Sequence, residues 1–139
     1  MLDAVQVNWW RVMVGGLAAG LIVNVFEYGG HRVLLDAAWT AAFRALGKKP
    51  AGWSTFIPAN FEVGIIMVWL YARLRPRYGG GPKTALRSGL AVWVVFWVIP
   101  MMAMMPLDLF PNYLLFLVIA LGLVDANLAV LLGAWLYEA

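Results

Sequence analysis

The chain of 139 residues contains no cysteine, one histidine and few charged side chains. The lack of cysteine excludes disulfides, thiolate metal sites and thiol catalysis. One histidine excludes a bis-histidine haem site within a single chain. Charged residues make up only 12% of the sequence, against about 25% in soluble domains, and 64% of the residues are hydrophobic. A soluble fold of this size could not bury so much apolar surface, so the composition predicts a membrane protein.

Four apolar runs are each close to the ~20 residues that a helix needs to cross about 30 Å of hydrocarbon. They lie at about residues 9–28, 55–72, 84–105 and 113–137. None alternates in polarity as the strands of a membrane barrel do. We therefore expect an all-α polytopic fold with four transmembrane helices, forming a single domain over residues 1–139. The first run has no convincing cleavage site and is expected to be a retained helix.

Basic residues are unevenly divided between the two sides of this arrangement. Arg11 and the segment 73–87 carry six of the ten lysines and arginines, and the other side carries four. The positive-inside rule then predicts that both termini are cytoplasmic. Anionic lipid headgroups are the expected contacts of the basic loop, through Arg73, Arg75, Arg77 and Lys83.

A further helix is predicted at about residues 33–47, between the first two runs. Leu35, Trp39 and Phe43 share its apolar face, and Gly47 is a favourable helix stop. An amphipathic helix of this length is typical of one that lies in the outer membrane interface. A lid packed on the helical bundle is equally compatible with the pattern, and the two placements do not exclude each other.

Two short motifs recur along the chain. Residues 69–71 (WLY) recur at 135–137, and residues 16–18 (GLA) recur at 89–91. The recurrence is compatible with two helical hairpins related by a parallel repeat. Coincidence between segments of similar biased composition is the alternative.

Small residues line one face of the first and fourth runs. These stripes let a neighbouring helix approach closely, and polar groups at their ends then find partners across the contact. The predicted helix-packing positions are Gly16, Gly20, Gly122 and Gly133.

Three carboxylates, Glu27, Glu62 and Asp125, lie within the predicted spans, and no lysine or arginine lies at a comparable depth. A charge near the middle of a span costs about 2.5–3.5 kcal/mol on insertion scales, and Asp125 is the deepest of the three. The cost falls if the acids carry protons, share a cation, or face water or a partner. With Asn24 and Asn60 they form a predicted proton or cation path. The alternative is that neutral acids merely hydrogen-bond across helix contacts.

His31 and a methionine cluster each admit two interpretations. His31, one turn after Glu27, is either a pH-sensitive partner of that acid or a solvated interfacial side chain. The cluster at residues 101–105 contains four thioethers, which suit Cu(I) but also fill irregular gaps beside prolines. The sequence therefore leaves a metal site open.

Residues 11–27, 68–86 and 133–138 together resemble small four-helix integral membrane proteins of bacteria. The resemblance implies a bacterial inner (plasma) membrane location. It transfers no catalytic or binding residue, because those proteins have no established activity. The methionine cluster and the tryptophan-rich third run depart from the shared pattern.

Two functions remain open at this level. The intramembrane carboxylates favour a proton or cation channel or transporter, and the small-residue faces favour a non-transporting subunit or scaffold of a membrane complex. The expected partners are the lipid bilayer and either a second copy of the chain or a partner subunit. A channel or transporter would also bind a cation. Neither a nucleic acid nor a cofactor is expected. An enzyme is not expected, because Ser54 and Ser88 lie far from the histidine in predicted depth.

Overall fold

The computed structural model describes residues 6–50 and 52–139 and is almost entirely helical. Two π-helical segments and two short 3₁₀ turns join or extend the α-helices. The first π segment is Tyr28–Leu34 and the second is Val94–Val98. The α-helices are α1 (Trp9–Glu27), α2 (Asp36–Ala45), α3 (Phe56–Tyr78), α4 (Pro82–Trp93), α5 (Ile99–Met104) and α6 (Asn112–Glu138).

Four continuous helical stretches are long and apolar enough to cross a membrane. They span Trp9–Leu34, Trp53–Tyr78, Pro82–Leu107 and Asn112–Glu138. The all-α prediction and the four long helices are thereby confirmed. The second helix extends six residues beyond its predicted end at Ala72, because the arginines that were assigned to the loop instead form the last turns of α3. Cationic side chains near a helix C-terminus interact favourably with the helix dipole, which is consistent with the extension.

Helix α1 packs against α3 and α6, and α4 packs against the same two helices. The contact between α1 and α3 is so close that main-chain atoms touch. A Cβ atom on Gly64 would overlap the backbone of Gly16 and Gly20. Gly133 likewise lies against Gly15 on α1, where its Cβ would come within 2.9 Å of the carbonyl oxygen. The predicted packing glycines of these helices therefore lie at contacts within one chain.

The recurring motifs occupy matching places in the two hairpins. Gly16 on α1 lies against Ile65 on α3, and Gly89 on α4 lies against Val130 on α6. The WLY motifs end at Tyr71 and Tyr137, whose rings meet edge to face with centroids 5.9 Å apart. We call the end of the bundle that holds these two tyrosines the basic end and the opposite one the pocket end.

Hydrogen bonds hold the basic end together. The buried hydroxyl of Tyr71 donates to Glu138 Oε1 at 2.7 Å and accepts from the amide of Gly81 at 3.0 Å. Arg75 forms an ion pair with Glu138, with its Nη2 3.0 Å from Oε2. Arg75, one of the predicted headgroup contacts, has its guanidinium against the C-terminal turn of α6. The reason is that α3 continues to Tyr78 and so carries Arg75 beside the end of α6.

Helix α2 covers the pocket end. It is shorter than the predicted segment 33–47, because Val33 and Leu34 belong to the π segment that continues α1. Gly47 ends the helix with a φ of 70°, as its predicted role as a stop requires. The ring of Trp39 lies 5.2 Å, and that of Phe43 5.5 Å, from the ring of Phe110, which precedes α6. The lid interpretation therefore describes how α2 packs.

Candidate functional site

Glu27, the last residue of α1, lies at the centre of a hydrogen-bonded cluster at the pocket end. Its Oε2 is 3.0 Å from Nε2 of His31, and its Oε1 accepts from the indole Nε1 of Trp97 at 3.1 Å. The side chains of Glu27 and His31 are only 14% and 16% exposed. The carboxylate is thus held by two donors at the edge of the protein interior.

Each of these two donors comes from a π-helical segment. His31 lies in the first segment and Trp97 in the second. In the first segment the amide of Leu35 bonds to the carbonyl of Gly30, five residues earlier. Such turns are rare, shift side chains around the helix and are frequent at functional sites. Hydrophobic periodicity gives no signal for a π turn, so the sequence did not predict the convergence.

The single histidine is held in one neutral form. The indole Nε1 of Trp39, on α2, donates to His31 Nδ1 at 2.9 Å. An imidazole nitrogen that accepts a hydrogen bond carries no proton, so the proton lies on Nε2 and is donated to Glu27. The structure therefore pairs His31 with Glu27, one of the two interpretations of the sequence, and ties the pair to the lid helix.

Asp125 of α6 lies next to Glu27 and is completely buried. The two carboxyl groups are close enough to interact with each other. Yet neither oxygen of Asp125 has a donor among residues 6–50 and 52–139. Ionised carboxylates only accept hydrogen bonds, so the pair can bond only when one of them carries a proton. The arrangement is a site for one shared proton.

Gly122 precedes Asp125 by three residues and lies on the same face of α6. A Cβ atom at Gly122 would overlap the indole ring of Trp97. The glycine therefore makes room for the indole that donates to Glu27. In the sequence, a glycine one turn before a buried acid indicates that a bulky side chain from another helix packs there. It does not identify that side chain as Trp97.

A cavity of about 420 Å³ lies above Glu27, between the lid helix and the bundle. Its walls are mainly aromatic, and Arg32 and Asp36 contribute charged groups. Met101 and Met104 of the methionine cluster also line it, whereas Met102 is 57% exposed. The aromatic side chains of the wall are Trp39, Phe43, Trp53, Phe56, Phe96, Trp97 and Phe110.

The other members of the predicted path have partners of their own or are exposed. Asn60 Nδ2 donates to Asn24 Oδ1 at 3.0 Å, and Asn24 Nδ2 donates to the carbonyl of Gly20 at 3.1 Å. The two amides thus form a satisfied contact between α1 and α3. Glu62 is exposed on the outside of α3. The three acids do not converge, and the described part of the chain contains no cluster of three or more acidic or histidine side chains suited to a metal ion.

The remaining basic residues of the predicted headgroup set lie at the basic end. Arg73 lies over the ring of Trp69 at 5.9 Å, and Arg77 lies over the ring of Tyr78 at 5.4 Å. Lys83 is exposed in the first turn of α4.

Comparison with known proteins finds no matching family model, no matching curated protein and no matching solved structure. The resemblance to small bacterial four-helix membrane proteins therefore stays a prediction. What the chain does has to be inferred from the cluster around Glu27.

Proposed function

We propose that this chain is an integral membrane protein that moves protons across the bilayer, with Glu27 and Asp125 as the groups that carry them. The four long apolar helices support insertion in a membrane, and the resemblance noted in the sequence favours a bacterial inner membrane. The excess of lysine and arginine at the basic end supports a topology in which that end is cytoplasmic and the cavity opens to the outside.

The observation that carries the proposal is the environment of Asp125. Asp125 is fully buried beside Glu27, and no donor in the described part of the chain bonds to either of its oxygens. Ionisable groups at membrane depth are costly, and they mark ion pathways and proton relays. Glu27 lines the cavity and also reaches Asp125, so a proton from the cavity can pass to the buried acid in one transfer.

The packing beyond Asp125 favours a carrier over an open channel. Toward the basic end, α6 buries Ala129, Val130 and Ala134, and the facing part of α3 buries Met67 and Val68. These apolar side chains offer water no polar partners, which favours access to the pair from the pocket end. A carrier exposes its site to one side at a time, whereas a channel requires a continuous path.

A proton is favoured over a metal cation by the number of ligands. Hard cations such as Ca²⁺ and Mg²⁺ take six or more oxygen ligands, and Glu27 and Asp125 are the only carboxylates that the described residues bring together here. Two acids in contact suit one proton better.

The alternative of a non-transporting subunit receives no specific support from the packing. Residues that allow close helix approach, such as Gly16 and Gly133, are used within the chain. The outer face of α1 carries bulky side chains instead, including Leu17, Leu21 and Val25, which suit lipid.

The test is proton flux into liposomes that contain the purified protein and a trapped pH indicator, with the membrane potential clamped. We expect flux above that of protein-free liposomes, and we expect Asp125→Asn and Glu27→Gln to reduce it to the protein-free rate. Glu62→Gln is the matched control, since it removes an exposed carboxyl group from the same bundle and should leave flux unchanged.

Two results would overturn the proposal. One is wild-type flux equal to that of protein-free liposomes. The other is full flux in a correctly folded Asp125→Asn variant, which would show that protons do not pass through the buried acid.

A further inference from the structure

The cavity above Glu27 has the composition of a binding site for a small organic molecule. Its volume of about 420 Å³ is within the range of about 300–1,000 Å³ that such sites occupy. Seven aromatic side chains and two methionines form most of the wall, as described above. A carboxylate, Glu27, is placed where the wall meets the protein interior.

The charges around the cavity favour a cation. Glu27 and Asp36 are acidic, Arg32 is basic, and His31 is neutral because its Nδ1 accepts from Trp39. Arg32 is exposed, whereas Glu27 is largely buried. Solvent and salt therefore screen the negative charge of Glu27 less than the positive charge of Arg32. Aromatic faces also attract cations and offer nothing to an anion.

We propose that this cavity binds a hydrophobic organic cation, such as an amine or quaternary onium ion with aromatic or alkyl substituents, with Glu27 as its counter-charge. The proposal rests on the proposed function in taking the same carboxylate as the proton site. It goes further in naming the class of molecule that would exchange with the proton.

Competition between the cation and the proton follows from the geometry. The groups that face Glu27 are His31 from its own helical stretch and Asp125 from α6, and the second π segment contributes the non-titrating Trp97. Arg32 and Asp36 add charges in the cavity wall. Acidification adds protons at the site and makes it less negative, so the cation should bind more weakly as the pH falls.

The experiment compares two ions of the same shape and opposite charge. Tetraphenylphosphonium and tetraphenylborate are titrated into the purified full chain in a neutral detergent, and binding is followed by calorimetry. We expect the phosphonium to bind at least about tenfold more tightly than the borate, and Glu27→Gln to remove at least about tenfold of the phosphonium affinity. Glu62→Gln is again the matched control and should bind as the wild type does.

Equal binding of the two ions would overturn the proposal, because it would show aromatic adhesion without charge selection. Phosphonium affinity that is unchanged by Glu27→Gln would overturn it as well. If Glu27→Gln does not fold, Trp53→Leu keeps the carboxylate and shortens the aromatic wall. That variant should bind the phosphonium more weakly and still prefer it to the borate, and an unchanged affinity would contradict the cavity as the site.

The outcome is separable from that of the proposed function. Proton flux without selective phosphonium binding would support the proton carrier and contradict the organic-cation site. Selective phosphonium binding in a protein that shows no proton flux would support the binding site and contradict the proton carrier.

Discussion

Trp97 and Gly122 interlock, since the indole ring of Trp97 occupies the space that a side chain at position 122 would need. The same indole donates its N–H to Glu27. A packing contact and a hydrogen bond of the site therefore depend on one ring position. This relationship links the helix-packing glycine of α6 to the chemistry one turn further along, at Asp125.

Gly122→Ala should displace the indole and weaken the site. We expect the added methyl group to destabilise the fold by about 1–3 kcal/mol through overpacking and to lower proton flux as well. Thermal unfolding followed by tryptophan fluorescence measures the first effect, and the liposome assay measures the second. Stability and flux both equal to those of the wild type would contradict the interlocking.

Gly64→Ala should be the most disruptive single-methyl change in the contact between α1 and α3. The new Cβ would overlap main-chain atoms of Gly16 and Gly20, which cannot rotate away as a side chain can. We expect a loss of at least about 1–3 kcal/mol, despite the better helix propensity of alanine. Gly29→Ala is the matched control, since nothing lies within 4 Å of its Cβ position, and it should be neutral or slightly stabilising.

Tyr71→Phe should loosen the basic end. The change removes a buried hydroxyl that joins Glu138 and the amide of Gly81, and it leaves that amide without its partner. We expect a loss of about 1–3 kcal/mol in a denaturant titration. Tyr113→Phe, at a side chain that is 58% exposed, should change stability by no more than about 0.5 kcal/mol. Equal effects of the two changes would contradict the role of the Tyr71 hydroxyl.

The state of His31 can be read directly, because the chain contains one histidine. Nitrogen NMR of ¹⁵N-histidine-labelled protein at neutral pH should show the proton on Nε2 and an acceptor at Nδ1. Trp39→Phe removes the donor to Nδ1 but keeps an aromatic ring in the lid, and it should produce a mixture of the two neutral forms. A proton on Nδ1 in the wild type would rule out the chain of hydrogen bonds from Trp39 through His31 to Glu27.

The sequence was sufficient for the long helices and for the interior position of Asp125. Apolar runs of about 20 residues and a lone acid in the middle of one are strong signals, because the bilayer constrains both. Glu62 and Asn24 could not be separated from the site in the same way. Their positions along a helix were known, but the neighbour that each face meets depends on how the helices pack.

The two tryptophan donors of the site could not be predicted for a different reason. His31 was a candidate, because it follows Glu27 by one turn of helix. Trp39 and Trp97 are 12 and 70 residues away in sequence, and they reach the site through a lid and through the second π segment. A tryptophan in an apolar segment is ordinarily a packing residue, so nothing in the local pattern distinguishes these two as donors.

The π segments make the site depend on the number of residues as well as on their chemistry. A π turn holds one more residue than an α turn, so it behaves as a single-residue insertion in the helix. Loss of one residue that precedes His31 in Tyr28–Leu34 would place His31 three positions after Glu27 in place of four and change the angle at which the two side chains meet. A chain with every functional side chain intact, but one residue shorter at Gly29 or Gly30, would therefore have a different hydrogen-bond geometry at Glu27.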